Sequence, residues 1–71
     1  MAENVIAPLA GSIWKILVAT GADVEEDDEL LIIEALKMEN PVYAPCDGKV
    51  MSIHVKEGDQ VEEDDLLVVI E

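Results

Sequence analysis

The feature that most constrains this chain is that it is written twice. Residues 6–34 overlay residues 43–71 without a gap, and about half of the aligned positions are identical. Ala7-Pro8 falls on Ala44-Pro45, Gly11 on Gly48, Gly21 on Gly58 and Ile33-Glu34 on Ile70-Glu71. The run Val24-Glu25-Glu26-Asp27-Asp28 recurs as Val61-Glu62-Glu63-Asp64-Asp65. Ungapped identity over that length marks one structural unit used twice. A duplicated unit places its joining segment and its free ends at related positions about a pseudo-twofold axis. Residues 35–42 are therefore expected at one end of the molecule and both termini at the other. The whole of 1–71 reads as a single domain with halves 6–34 and 43–71, and Lys37 stands near the centre of the seam.

The apolar residues say which kind of unit is repeated. Half of the chain is hydrophobic, which separates it from disordered acidic tails despite a formal charge of −13. Phe is absent and only Trp14 and Tyr43 are aromatic, so the core has to be built from Val, Ile and Leu. β-Branched residues of that kind suit a pleated sheet better than a helix. With 71 residues the core is small, near the lower limit for a domain that folds alone.

Short apolar segments punctuated at regular intervals predict an all-β barrel or sandwich. Val5-Ile6-Ala7 reads as a first strand stopped by Pro8, and Ile13–Val18 as a second opened by Gly11. Leu30–Ala35 is a continuous apolar strand, too short for a helix. Glu39–Ala44 returns from the seam, and Gly48–Val55 and Leu66–Ile70 repeat the programme. Between them, Gly21-Ala22-Asp23 and Gly58-Asp59 are turns. The runs Glu25–Glu29 and Glu62–Asp65 are solvated connections, with at most a short strand near Val24. Four like charges so close repel, so their duplication points to turn geometry, with Asp27 and Asp64 in the left-handed conformation that Gly would otherwise fill.

Charge and donor chemistry exclude several functions. Seventeen carboxylates against four scattered lysines repel a phosphate backbone, which argues against nucleic acid and for partners with basic docking surfaces. Cys46 is alone, so no internal disulfide forms. Met1-Ala2-Glu3-Asn4 lacks the basic and apolar regions of a signal peptide, and no apolar run reaches membrane-spanning length, so no direct membrane insertion is expected. The chain reads as cytoplasmic. One His and one Cys do not make a metal site. His54, between Ile53 and Val55, reads as an outward-facing strand residue, and Cys46 as a partly exposed thiol in a turn. No serine has a base beside it, and no glycine pattern forms a phosphate loop. Glu34 and Glu39 flank Lys37, but a barrel this small leaves no cleft for a carboxylate pair to work in. The chain's own side chains are expected to catalyse nothing.

At the seam, Glu34-Ala35-Leu36-Lys37-Met38-Glu39-Asn40 resembles the attachment motif of biotin carboxyl carrier domains, Glu-Ala-Met-Lys-Met. The resemblance runs through most of the chain. Ala7–Lys15 looks like the family's first strand and turn, while Ala44–Val50 and Val55–Val61 are similar to its second half. The resemblance implies a flattened barrel-sandwich hybrid of two four-stranded antiparallel sheets with an exposed lysine at a hairpin tip. It implies that Lys37 takes covalent biotin, with Glu34, Ala35, Leu36 and Met38 as its recognition flank. The partners it implies are biotin protein ligase, then the biotin carboxylase and carboxyltransferase of a carboxylase, or a decarboxylase, between which a carboxyl group is carried. Two positions depart from the pattern. Leu36 replaces the first Met with similar volume and less flexibility, and Asp27 and Asp64 stand where the family usually has Gly. The stretch from Val18 to Leu30 has no room for the protruding loop of some acetyl-CoA carboxylase carriers. The chain looks more like the plain carriers of pyruvate or acyl-CoA carboxylases and of decarboxylases.

Two other readings share parts of this picture. Lipoyl carriers have the same hairpin lysine, but their motif puts an acid directly before it, where Leu36 stands here. An unmodified barrel-sandwich adaptor has no use for the motif and usually sits beside long helical hairpins. The loop itself carries a further expectation. A two-residue hairpin turn needs positive φ at both central residues and is usually Asn-Gly or Asp-Gly. Leu36 and Lys37 are then expected to adopt it themselves, at about 1–2 kcal/mol each.

Overall fold

The computed structural model describes residues 2–71. The described chain runs through β1 (Glu3–Ile6), β2 (Gly11–Ile16), β3 (Asp23–Val24), β4 (Glu29–Ala35), β5 (Met38–Tyr43), β6 (Gly48–Ile53), β7 (Gln60–Val61) and β8 (Leu66–Ile70). Two four-stranded sheets form, in the orders β1-β8-β6-β3 and β5-β4-β2-β7. Neighbouring strands in both are antiparallel. The all-β sandwich expected from the apolar pattern is the observed fold. Among the described residues, no helix is long and apolar enough to cross a membrane.

Each sheet mixes the two repeats. β1, which leads into the first repeat, pairs with β8 of the second, β2 with β7, and β3 with β6. The turns lock the exchange with matched backbone hydrogen bonds. Gly21 donates its N–H to Val50 O at 2.7 Å, and Gly58 donates to Ile13 O at 2.7 Å. Asp27 donates to Ala44 O, and Asp64 to Ala7 O, both at 2.9 Å. In return, Ala44 N–H donates to Asp28 O at 2.8 Å and Ala7 N–H to Asp65 O at 2.9 Å. The shared sequence is thus needed twice because each half satisfies the other's backbone.

The core obeys the same symmetry. It consists of Val, Ile, Leu and Ala, in which Val5 matches Val42, Ile13 matches Val50, Leu30 matches Leu67 and Ile33 matches Ile70. No polar or charged residue is buried among the described residues. Burying each large aliphatic side chain contributes roughly 1.5–3 kcal/mol, and this is how so short a chain offsets its conformational entropy. Bulges bend the sheets at equivalent places, between Ile13 and Lys15 in β2 and between Val50 and Ser52 in β6. The bulge residues Trp14 and Met51 face solvent.

The acidic turns behave as their duplication implies. Asp27 and Asp64 have φ of 71° and 74°. Asp28 and Asp65 accept the N–H of Glu25 and Glu62 at 2.9 and 2.8 Å, so these turns are closed by their own carboxylates. Residues 25–29 are exposed, as a wet connection requires. His54 is also exposed, with Nε2 2.9 Å from Ser52 Oγ, and Cys46 is half-buried.

Strand ends differ from the sequence reading. β1 starts at Glu3 rather than Val5, because Glu3 and Asn4 face Ile70 and Val69 of β8. β2 begins at Gly11 and ends at Ile16, since Gly11 and Ser12 pair with Val61 and Gln60 of β7. In both cases a partner in the other half of the chain decides where the strand starts, and local hydropathy is blind to it.

Gly48 is packed so closely that a Cβ there would lie 2.8 Å from both Glu71 O and Ile70 Cγ2. Gly48→Ala is expected to lower stability by about 1–3 kcal/mol through overpacking, read as an earlier urea midpoint at an unchanged slope. An unchanged midpoint would mean that the strand end yields to the methyl group.

Candidate functional site

The seam is the hairpin between β4 and β5. Its ladder runs unbroken outward from Leu31–Val42 through Ile33–Asn40 and Glu34–Glu39 to Ala35–Met38. Ile33 is fully buried, so the inner end of the hairpin is anchored in the core. Leu36 and Lys37 alone form the turn, with φ of 52° and 63°. Both central residues of this two-residue loop are therefore in the left-handed region, as the sequence led us to expect. Neither is Gly, Asn or Asp, the residues for which that conformation is least costly.

The side chains at the tip are presented to solvent. Leu36 is 97% exposed and Met38 66% exposed. Lys37 lies between them, also exposed, so its ammonium is flanked by apolar surface on both sides in sequence. One rung behind, Glu34 and Glu39 are directly opposite one another and both exposed. Like charges facing across a ladder oppose pairing by a few tenths of a kcal/mol. The hairpin thus carries two features that work against its stability, strained turn residues and paired carboxylates, at the same end of the molecule. Strain of this kind persists only where surrounding structure holds it.

Two supports for the tip were not singled out by sequence reasoning. The Asn40 amide Nδ2 donates to Met38 O at 3.2 Å and, more weakly, to Ile33 O at 3.4 Å, tying β5 to β4 behind the turn. Nothing in the local sequence marks that role, because both acceptors are fixed by the pairing of β4 with β5. The second support is Gly11, where a Cβ would lie 2.6 Å from Glu34 O and 2.7 Å from Ile33 Cγ2. Its lack of a side chain lets β2 approach the base of the hairpin, and its pairing with Gly48 in the repeat was already visible.

No group of three or more His, Cys, Asp or Glu that could hold a metal ion occurs among the described residues. What the site offers is one primary amine on a stiffly held, exposed turn. An exposed amine on a core-rooted hairpin is what a carrier domain requires, a class that presents a side chain for covalent loading.

Comparison with known proteins places the chain within that class. A family profile described as biotin-requiring enzyme, the biotin/lipoyl family, matches residues 3–70, and the chain belongs to this family. It is 46% identical over 41 residues to the biotin carboxyl carrier protein of Streptococcus mutans, covering 58% of this chain and 32% of that protein. It is 45% identical over 40 residues to the biotin-dependent acyl-coenzyme A carboxylase alpha3 subunit of Mycobacterium leprae, covering 56% of this chain and 7% of that subunit. The crystal structure of Kluyveromyces lactis urea carboxylase contains a segment that superposes with a TM-score of 0.95 at 44% identity, over 100% of this chain and 6% of that one. The chain thus spans a third or less of the length of these relatives. It is a carrier domain of the biotin-requiring family, and biotin is that family's cofactor. Relatives of this domain are parts of biotin-dependent carboxylases.

The turn strain yields a direct test. Leu36→Gly removes a left-handed leucine that is almost wholly exposed and so packs against little. Relief of about 1–2 kcal/mol of strain exceeds the roughly 0.5–1 kcal/mol entropic cost of glycine. The variant is expected to be more stable than the parent by up to about 1 kcal/mol in urea unfolding. A less stable variant would show that Leu36 holds the hairpin together by contacts rather than straining it.

Proposed function

We propose that Lys37 is the residue that takes biotin, and that the loaded domain carries a carboxyl group between the active sites of a biotin-dependent carboxylase or decarboxylase. The observation that carries this reading is the two-residue turn in which Leu36 and Lys37 both have positive φ, at the exposed end of a hairpin rooted in the core. Biotin, when attached, supplies the ring nitrogen that bears the carboxyl group. Everything else required of this chain is presentation, and its residues fit that task.

The hairpin ladder limits where the lysine can point, while the lysine's own methylenes leave the amine free to reach a partner. The amine must shed its proton to attack an activated acyl group. No base of this chain is placed for that step, so biotin protein ligase supplies it. Glu34, Ala35, Leu36 and Met38 form the surface that the ligase reads, with the carboxylates meeting basic residues and the apolar pair meeting an apolar recess. The 13 excess negative charges steer the domain toward basic docking surfaces. Tethering to biotin carboxylase and carboxyltransferase partners, or to a decarboxylase, then replaces bulk diffusion with a high effective concentration. Residues 1–71 act as one carrier module, halves 6–34 and 43–71 joined by the attachment hairpin 35–42, and the module works in the cytoplasm.

The test is the intact mass after incubation with biotin protein ligase, biotin and ATP, followed by peptide mapping. Gain of one biotinyl group on Lys37 is the expected result, and Lys37→Arg, which keeps the charge and the fold, is expected to gain none. Labelling of that variant would move the attachment elsewhere. A parent protein that resists biotin but accepts lipoate from a lipoyl ligase would replace this reading with the lipoyl one.

Met38→Ala is expected to leave urea stability within about 0.5 kcal/mol, because the side chain is mostly exposed. The same variant should slow biotinylation at least several-fold. Equal rates for parent and variant would reduce the apolar flank to a bystander.

A further inference from the structure

An open groove lies against the inner side of the attachment hairpin. Its walls are Ala10–Ser12 at the start of β2, Glu34–Leu36 at the end of β4, and Gln60–Glu62 around β7. Its volume is about 630 Å³, but it is a shallow trough open to solvent, so the expectation of no enclosed cleft beside Glu34 stands. Gly11 sits tight against the hairpin on its inner wall, since a Cβ there would run into Glu34 O and Ile33 Cγ2. Lys37 is the residue after Leu36, so its Cα is about 3.8 Å from that of a lining residue.

Its chemistry suits a cyclic urea with an apolar back. A ureido ring has two N–H donors, one carbonyl acceptor and a hydrocarbon-and-sulfur side. Glu34 and Glu62 offer acceptors for the N–H groups. Ser12 Oγ and Gln60 Nε2 offer donors for the carbonyl, and they are joined to each other only by a long 3.4 Å hydrogen bond that a better acceptor can displace. Ala10, Gly11 and Ala35 give a floor of small residues on which an apolar ring can lie flat.

We propose that this groove is a resting site for the biotin ring carried on Lys37, holding it against its own domain between visits to partner active sites. The proposal rests on the attachment reading above and adds to it a parked state in which the arm is folded back. Such a state shields the ring from adventitious partners, and the shallow open walls keep its occupancy weak enough for release.

The experiment compares ¹H–¹⁵N spectra of the biotinylated protein, the unmodified protein and Lys37→Gln, which loses the charge but gains no arm. Intact mass is read first on the same sample. The expected result is one biotinyl group, with amide shift changes at Ser12, Gln60 and Glu62 that Lys37→Gln lacks. Those changes should be largely lost in biotinylated Ser12→Ala/Gln60→Ala, whose substitutions are exposed or half-buried and outside the attachment motif. Changes confined to residues 36–39 in a fully biotinylated protein would overturn the resting site while leaving the attachment reading intact. Groove shifts undiminished in the double variant would overturn the role of these two donors. A mass showing no biotinyl group would overturn both readings together.

Discussion

Everything in this protein depends on the exchange of backbone hydrogen bonds between its two repeats. Each half forms only one ladder of its own, β2 with β4 and β6 with β8, and the other ladders join the two halves. The turn at Asp27 donates to Ala44, the turn at Asp64 donates to Ala7, and the glycine turns reach across in the same reciprocal way. Because each half is the other's missing edge, neither repeat is complete alone. The reciprocity also explains how a core of small and medium aliphatic residues suffices. It is assembled from symmetry-related pairs packed from both sides, with no buried polar side chain to satisfy among the described residues.

That rigidity is what makes the hairpin usable. Leu36 and Lys37 hold a conformation ordinary residues avoid, with opposed carboxylates one rung behind. A hairpin with those features is marginal in isolation. Here it is continuous with β4, whose Leu30, Leu31 and Ile33 are fully buried, and the adjoining β2 packs at its base through Gly11. The fold supplies stability far from the tip, and the tip spends it on a fixed direction for one amine. Carrier function asks for no more: a reactive group that projects, a body that does not change shape, and a charged surface that partners can recognise.

Much of this was legible before any coordinates. The duplication marked the halves, and β-branched composition marked the sheets. The geometry of a two-residue turn, with no Gly, Asn or Asp at its centre, foretold positive φ at Leu36 and Lys37. The motif around Lys37 pointed to the family later matched over residues 3–70. Asn40 and Gln60 were not legible. An amide that bonds two carbonyls on either side of a turn, and a glutamine facing a serine forty-eight residues away, leave no local periodicity or spacing signal. Strand starts failed for the same reason, since Glu3 and Gly11 are strand residues only because β8 and β7 lie beside them.

The sequence by itself determined the repeat, the all-β class, the turn positions and the residue at the exposed end. These follow from identity, side-chain shape and backbone preference, all of which act within a few residues of chain. Only the tertiary structure decided which half each strand pairs with, where strands begin, and that Ser12, Glu34 and Gln60 surround a groove beside the hairpin. Those outcomes come from hydrogen bonds and close packing between segments distant in sequence, and such contacts exist only once both halves have closed on each other.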